Sequence, residues 1–220
     1  MKTLLTELPN IGWKLLVSLL PDQHSVSFGT RKPAWRRTIP DDWREGVTHK
    51  EYWEQVDAYS ELVINEAKKD ISKLTELVDH LENLPEPARK QFLDYISSDS
   101  VLLLPTEERL SLWNELVDLV TKHRKFVDAK WAMTPKQVDE IDALSARLAP
   151  DSPFYLHQRL FSDRDHDLFE EKGDYEKQIQ DLGRRRQIAV KEVADIESVK
   201  SVLAFAKTVQ SSWRVGIAYG

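Results

Sequence analysis

Apolar positions along the chain recur at intervals of three and four residues, the period of one helix face, and seldom in the strict alternation of a half-buried strand. About ten amphipathic helical segments can be read this way. Asn10 is expected to cap the first long helix, which runs to Leu20 and turns Ile11, Leu15, Leu16, Leu19 and Leu20 inward before Pro21. Thr48 and Glu51 form a capping box that opens the next, with Trp53, Val56, Tyr59, Leu62, Val63 and Ile64 on its buried face. Asp70 caps a helix carrying Ile71, Leu74, Leu77, Val78 and Leu81. Pro85 and Pro87 start a short helix with Phe92, Leu93 and Ile96, and Thr106 caps one that turns Leu110, Trp113, Leu116, Val117 and Val120 inward.

The second half repeats the pattern. Thr134 is an N-cap with Pro135 at the first helical position and Gln137 completing a capping box, ahead of Val138, Ile141, Leu144 and Leu148. Pro150 ends that helix and Pro153 opens a brief segment through Phe161. Asp174 caps the longest helix, to about Ala194, and two more follow over roughly 197–209 and 211–219. The only strand-like run, Val101 to Leu104, is too isolated to build a sheet.

Connections are short, which predicts consecutive helices lying antiparallel and adjacent. The fold class is therefore all-α: antiparallel helical hairpins stacked as a short solenoid or an irregular bundle, in one domain over 1–220. Leu84, Pro85, Arg89 and Phe92 are echoed by Leu104, Pro105, Arg109 and Leu112, but no repeat period persists along the chain. The C-terminal run from Trp213 to Gly220 lacks a polar cap, as expected of a piece of something longer whose apolar ends favour self-association.

One stretch breaks the helical period. Residues 21–47 contain Pro21, Gly29, Pro33, Pro40 and Gly46, and read as a structured loop or extended arm. The arm also carries Arg31, Lys32, Trp35, Arg36, Arg37, Trp43 and Arg44, a basic and aromatic interleaving that can stack bases and grip phosphates. Asp41, Asp42 and Glu45 offset three of its five positive charges, and the indoles are expected to pin the arm to the helices. A partner-binding surface on these seven residues is the functional alternative.

Composition narrows the remaining choices. The chain has 220 residues, 41% of them hydrophobic with 7 Trp, enough to build a core. A net charge of −6 argues against nucleic acid held broadly through its phosphates. With 0 Cys there are no disulfides, thiolate metal sites or cysteine nucleophiles, which fits a reducing cytoplasm. The N-terminus has no apolar run of signal-peptide or membrane-span length, so the chain is read as cytosolic.

The candidate chemistry is sparse. Asp163, Asp165, His166 and Asp167 resemble a cation loop, but Leu168 stands where such a loop needs glycine. They are expected to cap and solvate a turn. His49, His123 and His157 do not form a His-Glu-x-x-His pattern, and His123 with Arg124 and Lys125 is read as a cationic helix end. Neither the Ser motif near His24 nor the segment Phe28–Lys32 has the glycines of a nucleophile elbow or a phosphate loop. Arg184, Arg185 and Arg186 are read as a solvated helix face between Asp181 and Glu192. No catalytic, metal or cofactor site is expected.

Several segments together carry a resemblance: GWKLLVSLLP at 12–21, HSVS at 24–27, KPAWR at 32–36, VTHKEYW at 47–53, LVTKHRKF at 119–126, LAPDSP at 148–153 and HQRLFS at 157–162. They resemble an uncharacterised α-helical, repeat-like region of very large bacterial multidomain proteins of the signal-transducing nucleotide-hydrolysing type. The resemblance implies a scaffold or sensor segment whose activity lies elsewhere in the parent. The expected function is a non-enzymatic interaction module whose partners are proteins, other domains of the parent or a second copy. Alternatives are a helical hydrolase using His24, Asp41 or the acids at 163–167, and a nucleic-acid module built on the arm.

Overall fold

The computed structural model describes residues 1–21 and 48–220; apart from Pro21, the arm expected at 21–47 lies outside the described residues. Twelve α-helices and no strands are found among the described residues, so the chain is all-α as its periodicity predicts. It divides into two compact units, Met1–Asp94 and Tyr95–Gly220.

The first unit opens with α1 (Lys2–Glu7) and α2 (Pro9–Ser18). Pro9 has no N–H to donate, so it sits at the first position of α2, with Leu8 as the corner between the two helices. The corner brings α1 so close that a Cβ on Gly12 would lie 3.0 Å from the Leu5 backbone. Leu16 and Leu20 are buried as expected, together with Trp13 and Val17, whereas Ile11, Leu15 and Leu19 are exposed, correcting that part of the face expected from periodicity.

Next come α3 (His49–Ala67), α4 (Ile71–Val78), a 3-10 turn at Leu81–Asn83 and α5 (Glu86–Ile96), within which the boundary between the units falls. Both caps read from the sequence are formed: Thr48 and Glu51 satisfy one another's backbone N–H groups, and Asp70 accepts from the Ser72 N–H. Val56, Val63 and Ile64 point inward as expected, but Trp53 lies exposed against the His49 ring. Trp13 is anchored by its indole N–H, which donates to Glu76 at 2.6 Å, and by the Lys73 ammonium 5.4 Å from its ring centre.

Glu66 is buried in α3 and accepts from Lys69 at 2.6 Å and Lys73 at 2.8 Å, and these hydrogen bonds hold its carboxyl below the ordinary glutamate value of 4.5. A lowered folded-state value means stability that is present above pH 4.5 and lost as pH falls through the folded value. Glu66→Gln is therefore expected to be less stable than the wild type at neutral pH, with the gap closing in acid. Urea titrations at several pH values check this; a gap that stays constant down to acid pH contradicts it.

The second unit holds α6 (Asp99–Leu102), α7 (Thr106–Lys125), α8 (Pro135–Leu148), α9 (Pro153–Leu156), α10 (Tyr175–Glu197), α11 (Val199–Ala206) and α12 (Ser212–Tyr219). The apolar run at 101–104 is helical at its start, with Val101 buried and Leu103 exposed. Pro105, not Thr106, occupies the cap position of α7, and no side chain caps it. Glu107 and Glu108 at its start and Lys122, Arg124 and Lys125 at its end oppose the helix dipole. Thr134 with Gln137, and Asp174, cap α8 and α10 as predicted.

Packing pairs α7 with α8, and α10 with both α11 and α12. Leu182, Ala189, Val190 and Val193 of α10 meet Phe161, Phe205 and Val215 in one apolar cluster. Between α10 and α11 the chain turns at Ser198 with φ 59° and ψ −142°, a conformation that strains any side chain. Arg89 and Arg109, the two arginines of the internal echo, each close the first turn of their helix onto a proline carbonyl.

Candidate binding surfaces

The seven arm residues singled out as a partner surface, Arg31, Lys32, Trp35, Arg36, Arg37, Trp43 and Arg44, lie outside the described residues, as do His24 and Asp41. Two other surfaces emerge from the folded chain, one apolar and one charged.

The apolar surface belongs to α2. Leu8, Ile11, Leu15 and Leu19 succeed one another at three- and four-residue spacing, so they form a single stripe. Ile11 is 57% and Leu15 44% exposed. Because Trp13, Leu16 and Val17 already face the core, α2 is apolar on two sides, a pattern that belongs to a helix covered on both.

The charged surface is centred on Asp165 in the second unit. Arg186 donates through Nε to the Leu160 carbonyl at 2.7 Å and through Nη2 to Asp165 Oδ1 at 2.5 Å. Arg214 donates to the same oxygen. Nearby, Ser211 donates its hydroxyl to Asp163, and its backbone N–H reaches the Phe161 carbonyl at 2.9 Å. Side-chain exposure is 18% for Asp165, 11% for Arg186 and 12% for Arg214, so this ion triad is largely removed from water. Burial lowers the pKa of the Arg186 guanidinium.

This arrangement corrects two sequence readings. The acids at 163–167 do more than solvate a turn: Asp165 ties α10 and α12 to it, while Asp163, His166 and Asp167 remain at the surface, the last two 3.0 Å apart. The arginine run is not a uniform solvated face either. Arg184 is exposed beside Asp181 at 3.4 Å, but Arg186 turns inward. The signal was present, since Arg186 follows Leu182 by four residues and precedes Ala189 and Val190 by three and four, in phase with the buried face of α10.

A cavity of about 260 Å³ adjoins the triad, lined by Arg186, Arg214, Trp213, Ile217, Ile179 and Gly183 among others. Gly183 lies inside α10, where glycine costs about 1 kcal/mol relative to alanine. A Cβ there would meet no atom within 4 Å, so packing against a neighbour does not demand the glycine.

The histidines are dispersed. His123 is buried rather than a cationic helix end: its Nδ1 accepts from the Met133 N–H at 3.0 Å, so that nitrogen carries no proton, and Trp131 packs edge-on at 5.4 Å. Arg124 beside it pairs with Asp142 at 2.7 Å and Glu170 at 3.3 Å. His157 meets Glu192 at 2.6 Å. No grouping of three or more His, Asp or Glu suited to a metal ion occurs among the described residues. No described helix is long and apolar enough to cross a membrane. Comparison with known proteins found no matching family model, curated protein or solved structure.

Proposed function

We propose that this chain is a helical protein-interaction module, a scaffold segment of a larger bacterial protein that performs no reaction of its own. Its docking face is the outward stripe of α2, and the occupant is the same stripe on a second copy. The exposed side of α2 carries this reading: a single monomer rarely leaves contiguous large aliphatic residues in water, whereas two like stripes bury each other by symmetric pairing. The engagement of Asp165 by two guanidiniums also favours a binding protein over a hydrolase using the acids at 163–167.

Sedimentation of the purified chain over a range of concentrations tests the proposal. The wild type is expected to form dimers, and Ile11→Glu with Leu15→Glu to be monomeric at the same concentrations with unchanged helicity. A wild type that remains monomeric at the highest concentration, or a double variant that still dimerises, overturns it. Measurable substrate turnover by the isolated chain would remove the non-enzymatic part of the reading.

A further inference from the structure

We propose that the cavity between α10 and α12 binds a small amphipathic oxyanion, a phosphate or carboxylate head on a flat apolar body. The head is recognised by charge. Two guanidiniums line the cavity against the single carboxylate of Asp165, so its charged side chains leave a net positive site. A guanidinium has five N–H donors, and among the described residues those of Arg214 find an acceptor only at Asp165. Its Nε is buried without a partner among the described residues. An arriving oxyanion supplies the acceptors that the protein leaves out, in a setting where charge-assisted hydrogen bonds are strongest.

The body is recognised by shape. Ile217 and the indole of Trp213 are each more than half exposed and border the same cavity, giving an aliphatic and an aromatic wall. The Arg214 guanidinium lies 5.0 Å from the Trp213 ring centre, so one side chain links the cationic end to the aromatic one. Gly183 keeps the α10 side open, since any side chain there would project into unfilled space. At about 260 Å³ the cavity lies just below the usual range of ligand sites, which suits a single ring with its acidic group.

Titration of the full chain with phenyl phosphate, phenylacetate, inorganic phosphate and phenol, followed by amide and indole NMR shifts, tests the site. Phenyl phosphate or phenylacetate is expected to saturate shifts at Trp213, Arg214 and Gly183 and to bind at least about tenfold tighter than inorganic phosphate or phenol. The tighter of the two identifies the head group. Gly183→Leu fills the cavity while improving the helix, so it is expected to stay folded and weaken binding at least about tenfold. Arg214→Gln is expected to abolish the preference for the anion over phenol. Absent or non-saturating shifts, equal affinity for phenol, or unchanged binding by folded Gly183→Leu each overturn the proposal.

Discussion

Asp165→Ala is expected to lower the unfolding free energy by about 3–5 kcal/mol, the scale seen when one member of a buried ion group is removed. The loss is large because the carboxylate compensates two guanidiniums at once, with all three side chains less than a fifth exposed. Alanine leaves both cations desolvated and facing each other. Glu170→Ala serves as control: its partner Arg124 retains Asp142 and the pair is half in water, so under about 1 kcal/mol is expected. Urea unfolding of the two variants separates these cases. Equal, small losses would mean that the triad is solvated and contributes little. Phosphate in the buffer is expected to stabilise Asp165→Ala more than the wild type, because an anion that binds only the folded state shifts the equilibrium by mass action.

Phe205→Ala is expected to cost about 3–5 kcal/mol through lost burial and the cavity that remains. Phe205 has no exposed surface and meets Phe161 and Phe154 edge-on, with ring centres 5.3 Å and 5.8 Å apart. Such pairs add to the area effect, and the surrounding helices cannot close over a missing ring without disturbing α10. Leu203 lies two residues away on α11 yet is 61% exposed, so Leu203→Ala should change stability by no more than about 0.5 kcal/mol. Comparable losses for the two variants would show that the apolar cluster is not the core of this unit. Both losses are large against the roughly 5–15 kcal/mol that holds an ordinary domain together.

Helix starts were the most legible features because their causes are local. Thr48, Asp70, Thr134 and Asp174 each lie within three residues of the N–H they satisfy, so residue type and spacing suffice to find them. Pro105 took the cap position expected for Thr106, a one-residue shift that leaves the helix itself in place. The longest helix was found with its cap, although it continues three residues beyond Ala194 to Glu197. Short helices were harder. Lys2–Glu7 and Asp99–Leu102 have too few turns to display a period.

Faces were less legible than starts. On α2, eight of ten residues from Ile11 to Leu20 are non-charged and non-polar, so periodicity admits more than one inward side. The choice fell to the side of Trp13, Leu16 and Val17, where α2 packs on the third helix and Trp13 bonds Glu76 of the fourth. The sequence likewise reads His123 as a cationic helix end and the arginine run as a solvated face, whereas the fold buries His123 onto the Met133 N–H and Arg186 onto Asp165. Polar groups of this kind are buried only when a partner arrives to meet them, and the partners lie 10 and 21 residues away.

The amino-acid order by itself determined the all-α class and where most of the long helices begin, since capping hydrogen bonds and the 3.6-residue period act within a few residues of chain. Only tertiary packing decided which side of α2 remains in water, that Asp165 gathers arginines from two helices, and that Gly183 faces open space. Those outcomes depend on segments distant along the chain meeting in space, and on whether each buried charge finds an opposite one there, which no local spacing encodes.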